Sequence, residues 1–382
     1  MNWSIKIAQV ANIPIKVHIT FFLILGLSAA QWAGRGDDPI FGGLFGIVLM
    51  LALFLCVTLH ELGHSLMARF FGIDTREILL MPLGGVAQIN KNPEKPLHEF
   101  LIAVAGPLVN VVIAAILLLI IGIHPNLSLA NLLLDGSGLT RLTNDMSPTG
   151  LIYWLLTANV SLVLFNLIPA FPLDGGRMLR ALLAMRLGMP RATRIASGIG
   201  QALAIGLGVY GFLSGNWLLA LVAVFVFVGA SQETTTAQAK TVLITRKVGD
   251  AYNKHAISLQ NGDRISRVVD YLLTSYQPDF AVVFGNRLLG IVTREDVMRA
   301  LAIQPNDCYV SEIMNRAVFK LNAADTLDDA REKMGVQNVR VAAVYDGEQF
   351  LGLLSQEDIS EAFAILMFVK RHQQLRAISA QA

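Results

Sequence analysis

VTLHELGHSLMARF, residues 57–70, sets two histidines and a glutamate inside surroundings too apolar for water. Residues 41–59 contain no Asp, Glu, Lys or Arg, so the helix that ends in this run belongs in lipid. Ionisable groups within a span mark a functional site by default, since each is disfavoured by roughly 3 kcal/mol or more at the bilayer centre. Positions i and i+4 share a helix face, so the imidazoles of His60 and His64 can bind one Zn²⁺, with Glu61 next to the water that such an ion activates. The pattern points to hydrolysis inside the membrane.

Composition agrees with a membrane location. Of the 382 residues 54% are hydrophobic and only 15% charged, against about 25% charged in ordinary soluble proteins. Residues 17–34, 100–123, 150–173 and 195–232 also lack Asp, Glu, Lys and Arg, whereas the chain beyond 240 reads as ordinary globular sequence. A domain boundary therefore falls near 232–242. The net charge of +2, with no basic tract, excludes nucleic acid as a partner. Cys56 and Cys308 form neither a disulfide framework nor a CxxC site. Lys6 and Lys16 precede the first apolar run, but sixteen mixed residues come before it and no small-residue cleavage site follows, so 17–34 reads as a retained span.

Crossing a bilayer takes about 20 apolar residues, which predicts six spans at about 17–34, 41–70, 98–123, 150–168, 195–213 and 216–232. An even number puts both termini on one side. That side collects Lys6, Lys16, Arg69, Arg76, Lys91, Lys95, Arg177, Arg180, Arg186, Arg191 and Arg194, against only Arg35 and Arg141 opposite. The positive-inside rule then predicts a multi-pass protein of the cell (inner) membrane with both termini and the C-terminal domain in the cytoplasm.

Two interruptions bear on the chemistry. ILLMPLGGVAQI, residues 78–89, is too short to span and too apolar for a solvent loop, and predicts a hairpin within the membrane part. NLIPAFPLDGGR, residues 166–177, places Pro169 and Pro172 where the fourth span should continue, which breaks it. A catalytic zinc takes three protein ligands and keeps one position open. Asp174 is the candidate third ligand, because it follows the break and Gly175 and Gly176 allow close backbone approach before a helix restarts. Spans two and four run in the same direction, so both motifs lie at cytosolic ends. Asn166 is a candidate donor to the oxyanion, or a brace for the broken segment. His18, His98, His124, His255 and His372 lack ligand spacing, and Glu77, Glu94 and Glu99 read as solvated or interfacial charges.

With these residues in place, the chain resembles the site-2 protease family of intramembrane zinc metalloproteases. HELGH at 60–64 resembles that family's first motif and NLIPAFPLDGG at 166–176 its second, and IPIKVH at 13–18 and AGPLVN at 105–110 extend the likeness over residues 1 to about 232. The resemblance implies that His60, His64 and Asp174 ligate Zn²⁺ and that Glu61 is the catalytic acid and base. It further implies that the hairpin at Gly84, Gly85 and Val86 presents an edge strand to an unwound membrane-spanning substrate. Family members cleave membrane-bound regulators, anti-sigma factors or signal-peptide remnants, and nothing here selects among them.

Residues 241–366 contain an internal repeat: GIVTREDV at 290–297 returns as GLLSQEDI at 352–359, an offset of 62. Each copy follows a strand-like run, FAVVF at 280–284 or VAAVY at 341–345, and a helical segment at about 264–274 or 326–335. Both copies resemble the cystathionine-β-synthase-type (CBS) domain, which pairs. In that resemblance Thr293 with Asp296 and Ser355 with Asp358 face the phosphate and ribose of an adenine nucleotide, ATP or AMP. The same Thr/Ser-x-x-Asp spacing also suits a helix start, where Thr caps and Asp favours the first turn. The apolar FAILMFV at 363–369 suits a domain core, a homodimer contact or the membrane surface.

The expected fold is therefore a membrane α-helical unit of about six spans with a membrane-associated β-hairpin or sheet, plus a soluble α/β CBS pair. The expected boundaries are 1–232 for the protease, 233–243 for a linker, 244–303 and 304–370 for the CBS repeats, and 371–382 for a tail. Two rival functions are a CBS-regulated transporter or channel, which leaves HELGH unexplained, and a non-proteolytic metal-binding scaffold, which leaves Glu61 without a task.

Overall fold

The computed structural model describes residues 3–35, 38–82, 84–89, 93, 95–123, 145–275, 277–303 and 306–379. Lys91, Glu94, His124 and Arg141, which entered the sequence reading, lie outside them. The chain forms two compact units, 1–235 and 236–382.

Among the described residues, five helices are long and apolar enough to cross a membrane: α2 (Pro39–Phe70), α3 (Pro96–Ile123), α4 (Pro148–Asn166), α6 (Met189–Leu213) and α7 (Trp217–Leu243), the last running from the first unit into the second. At ~1.5 Å per residue even α4 reaches about 28 Å, close to the ~30 Å hydrocarbon thickness. The first expected span is shorter than its charge-free stretch suggests. Only α1 (Phe21–Ala33) is helical there, about 20 Å long, because the alternating IPIKVH segment is taken by strand β2 (Ile13–His18). Helix α5 (Asp174–Leu187) follows the break after α4 and is too short to span.

Helix starts follow their local chemistry. Asp38 caps α2, accepting from the Ile40 amide at 2.9 Å, with Pro39 at the first helical position where no N–H is needed. Ser147 and Pro148 do the same for α4, the Ser147 hydroxyl accepting from the Gly150 amide at 3.1 Å.

A four-stranded sheet packs against α2. Its order is β1 (Ser4–Val10), β2, β3 (Thr75–Met81), β4 (Gly84–Ile89), antiparallel except where β2 meets β3. Alternation in β2 sends Ile13, Ile15 and Val17 into a core with Ile78 and Leu80 of β3 and Phe54 and Leu62 of α2. The β3–β4 turn needs φ +133° at Gly84, a conformation that side chains disfavour. Strand β4 ends the sheet, with one edge unpaired by any described strand.

The second unit holds two sheets, β5 (Ser258–Gln260), β6 (Asp279–Phe284), β7 (Arg287–Thr293) and β8 (Lys320–Asn322), β9 (Val341–Asp346), β10 (Gln349–Ser355), each with a parallel and an antiparallel pairing. The repeat holds to the residue: Asp279 pairs with Thr293 as Val341 pairs with Ser355, and Ser258 with Ala281 as Lys320 with Ala343. Backbone bridges between the copies are reciprocal, Asn253 to Leu353 and Asn315 to Ile291. Ala281, Val283 and Ile291 of one repeat and Val341, Ala343 and Leu353 of the other share a buried cluster. The FAILMFV stretch divides its duties: Phe363 packs on the core, while Ile365, Phe368 and Val369 are exposed.

Close contact of α1 with α2 depends on missing side chains, since a Cβ on Gly46 would lie 2.6 Å from the Ser28 carbonyl oxygen. Gly46→Leu should cost about 1–3 kcal/mol by overpacking, read as a lower thermal midpoint in detergent; an unchanged midpoint would contradict this packing.

Candidate active site

Helix α2 delivers His60, Glu61 and His64 on one face, and α5 delivers Asp174 from its first residue. His64 Nε2 lies 3.1 Å from His60 Nε2 and 3.1 Å from Asp174 Oδ2, and His60 Nε2 lies 3.3 Å from the same oxygen. All three residues are buried. Ligands ~2.0–2.1 Å from a tetrahedral zinc stand about 3.3 Å apart, so this triangle has the size that the ion requires.

The surroundings orient the donors. His64 Nδ1 donates to the Ile102 carbonyl at 2.7 Å, which fixes the tautomer and leaves Nε2 with its lone pair toward the triangle. Two imidazoles and a carboxylate aimed at one point repel each other unless a cation stands between them. Gly106 of α3 provides the space: a Cβ there would come within 2.2 Å of His64 Nε2 and 2.8 Å of His60 Nε2. Pro107 follows it inside the helix and removes one backbone donor at the same level. This donor set and this space fit a zinc ion.

Glu61 is half-buried, and its Oε2 accepts from the Ala87 amide of β4 at 3.1 Å. Gly85 faces the same side chain, where a Cβ would lie 2.6 Å from Glu61 Cγ. Gly84 opens β4, and Val86 is exposed on it. Asp174 is positioned by the break. Residues 167–173 are non-helical, and Gly175 and Gly176 press on that segment so closely that a Cβ would fall 2.3 Å from the Ile168 oxygen or 2.6 Å from the Ala170 carbonyl carbon. Asn166 ends α4, half-buried, and its side chain makes no hydrogen bond among the described residues.

One expectation is corrected. Glu99 is 1% exposed and is not a solvated charge. Arg180 of α5 donates to Glu99 through Nε at 2.7 Å and also through Nη2, reaches Glu233 of α7 through Nη1, and lies over the Phe171 ring. Glu77 pairs with Lys16 at 2.6 Å. Glu99 and Arg180 each stand at the edge of an apolar run, where an interfacial charge is the ordinary occupant, so their pairing has no mark in the sequence. The positioning groups at Ile102 and Ala87 are backbone atoms and carry no sequence signal either.

Residues 48–207 match peptidase family M50, and residues 248–303 and 310–365 each match the CBS domain. A zinc metalloprotease of Methanocaldococcus jannaschii is 32% identical over 372 residues, covering 96% of this chain and 98% of that protein. The chain belongs to peptidase family M50. A Synechocystis protein assigned by name to the zinc metalloproteases is 28% identical over 381 residues, covering 94% and 95% of the two chains. The solved site-2 protease from M. jannaschii is similar at 38% identity and a TM-score of 0.44, over 61% of this chain and 95% of that one. This M50 member is thus a metalloprotease with several helices long and apolar enough to cross a membrane and a C-terminal CBS pair.

In the CBS pair, Thr293 and Asp296 form a reciprocal cap at the start of α8 (Arg294–Ile303): the Thr293 amide and hydroxyl donate to Asp296 Oδ2 at 3.0 and 2.7 Å, and the Asp296 amide donates back at 3.2 Å. Ser355 and Asp358 repeat this at α9 (Gln356–Ser379), at 2.7, 2.8 and 3.0 Å. The helix-start duty is therefore real in both copies, and it leaves each carboxylate a second oxygen. Ser355 and Asp358 line a cleft of about 380 Å³ that also meets Asn253, His255, Gln277 and Asp279. Burial pushes the Asp279 carboxyl up to about 6; Arg340 opposes this, Glu357 adds to it, the Arg294 amide opposes it and Asp358 adds to it.

Two outcomes follow. Gly106→Ala should remove zinc from the purified protein, measured by metal analysis, while the fold persists by circular dichroism; full zinc content would show that Gly106 does not border the ion. Asp279 holds its proton more tightly folded than unfolded (~3.9), so its contribution is present below pH 4 and lost as pH rises through about 6. Asp279→Asn should therefore raise the thermal midpoint of the CBS unit more at pH 8 than at pH 4, and an equal change at both values would exclude this linkage.

Proposed function

We propose that the protein hydrolyses a peptide bond in or near a transmembrane segment of a membrane-anchored substrate, with His60, His64 and Asp174 holding one Zn²⁺ per chain and Glu61 as acid and base. The observation that carries this reading is the 3.1–3.3 Å triangle of donor atoms with Glu61 on the same helix. When bound, the ion supplies Lewis acidity toward the scissile carbonyl and makes water nucleophilic near neutral pH. Glu61 Oε1 accepts the proton of the attacking water and delivers it to the leaving amine, while Ala87 holds Oε2 in place. Asn166 donates to the oxyanion or braces the broken segment. Gly84, Gly85 and Val86 receive the substrate as an added strand on the free edge of β4, since a helix must unwind before its peptide bonds can be attacked.

Both termini and the CBS pair are cytoplasmic in this reading, in the cell (inner) membrane, on the distribution of Lys and Arg. The substrate is a regulator such as an anti-sigma factor, or a signal-peptide remnant. The protease extends over 1–232, a linker over 233–243, and the CBS repeats over 244–303 and 304–370. The pair binds an adenine nucleotide, AMP or ATP, at Ser355 and Asp358 or at Thr293 and Asp296, biases proteolysis through it, and supports a homodimer.

Glu61→Gln should lower cleavage of a model transmembrane substrate by at least ~100-fold with zinc content unchanged; retained cleavage ends this mechanism. Asp174→Asn should lose both zinc and activity. If both survive, the third ligand is elsewhere.

A further inference from the structure

The second ring nitrogen of His64 is accounted for, and that of His60 is not. His64 Nδ1 donates to the Ile102 carbonyl, whereas His60 Nδ1 is buried with no hydrogen-bond partner among the described residues. A histidine that ligates through Nε2 carries its proton on Nδ1, and an acceptor on that N–H fixes the tautomer and the ring plane. A donor left alone in an apolar interior is unfavourable.

Helix register shows which polar groups stand near it. Helices α2 and α3 run antiparallel: the Phe71 ring stacks on His98, His64 meets Ile102, and both imidazoles face Gly106. Asn110 lies one turn beyond Gly106 on the same face of α3. Its Cβ is therefore ~5–6 Å from the place of a Gly106 Cβ, itself 2.8 Å from His60 Nε2. That sets Asn110 at the level of His60 and of Cys56, one turn earlier on α2. Helix α4 reaches the same level, because Asn159 donates to Cys56 Sγ at 3.4 Å, and Leu156 shares a buried cluster with Ala114, one turn past Asn110. Both asparagines are fully buried. Asn159 spends its amide nitrogen on Cys56 and on the Leu155 carbonyl at 2.8 Å, which leaves its Oδ1 without a partner among the described residues. Neither Oδ1 nor Nδ2 of Asn110 has one either. Three helices thus bring two spare carbonyl oxygens to the level of one spare ring N–H, and no direct bond joins them.

We propose that Asn110 is a positioning residue for the metal site, acting through one buried water that accepts from His60 Nδ1–H and donates to Asn110 Oδ1 and Asn159 Oδ1. Three hydrogen bonds are the usual complement of a buried water, and polar groups separated by more than 3.5 Å are the kind that such a water joins. Asn110 then does for His60 what the Ile102 carbonyl does for His64. The proposal rests on the reading of His60 as a zinc ligand.

The test measures the zinc affinity of the full chain in detergent by competition with a chromophoric chelator, beside the thermal midpoint of each variant. Asn110→Leu, similar in shape but without an acceptor, should weaken zinc binding by about 10–100-fold. Asn110→Asp keeps an acceptor and should restore most of that loss. The cobalt-loaded leucine variant should also show a shifted visible band, because the His60 ring is no longer held. Asn159→Leu removes the other acceptor and should weaken zinc binding less, and the double variant should lose no more than Asn110→Leu alone, since both act on one water. Zinc affinity unchanged in Asn110→Leu, with only the thermal midpoint lowered, would reduce Asn110 to a packing amide and overturn the proposal; so would losses that multiply in the double variant. If Asn110→Leu does not fold, unchanged affinity in Asn159→Leu overturns it equally. Wild-type protein that binds no zinc would instead overturn the reading of His60 as a ligand, and this is seen before any variant is compared.

Discussion

Three lone pairs meeting at one point in an apolar helical bundle is the constraint around which the membrane unit is arranged. In a medium of low dielectric the convergence of His60, His64 and Asp174 is unfavourable unless a cation balances it, so every neighbour must hold the donors while leaving the centre clear. The fold does this with absences and with backbone. Gly106 withholds a side chain where one would strike both imidazoles. The Ile102 carbonyl turns His64. Gly175 and Gly176 let the start of α5 press against the broken segment, so that Asp174 arrives at the depth of α2.

A second buried arrangement holds these elements in register. Arg180 lies less than two turns along α5 from Asp174 and joins Glu99 of α3 to Glu233 of α7. Such an ion group is weak evidence for net stability, but removing one member strands the rest and costs about 3–5 kcal/mol. Its value is geometric. Helix α3 carries Gly106 and Ile102, α5 carries Asp174, and one guanidinium fixes their separation, while Phe171 from the break lies under it.

Much of this was legible before any coordinates, for a physical reason. A charge in lipid is so unfavourable that HELGH and the carboxylate after two prolines announce themselves, and the depth of each follows from counting residues along charge-free runs. The repeat was equally plain, because buried strands and helix caps constrain residue type at fixed spacing. What escaped was set by partners distant in sequence. Glu99 looks interfacial until Arg180 arrives from 81 residues away, and the Ile102 and Ala87 contacts are made by backbone atoms that any side chain would carry. The first span was misjudged in length because apolarity alone does not separate the end of a buried strand from the start of a helix; β2 takes Val17 and His18 by alternation, and thirteen helical residues remain.

The CBS unit shows how a duplicated fold separates what packing demands from what chemistry permits. The shared core of Ala281, Ile291, Ala343 and Leu353 and the reciprocal bridges at Asn253 and Asn315 require both repeats to keep the same backbone. The Thr293 and Ser355 caps are likewise bound to helix starts and cannot drift freely. Positions six residues beyond the caps, Glu361 and Arg299, meet no such demand, since both are exposed, and there the two copies have opposite charge. Asp279 is different again. Its partner in the repeat is Val341, the residue that a buried strand start would favour by packing alone, and a carboxylate in that place is disfavoured by desolvation. The Arg340 guanidinium at 4.0 Å and the Arg294 amide offset part of that cost, so the repeat keeps a carboxylate there by supplying it with partners that Val341 does not need.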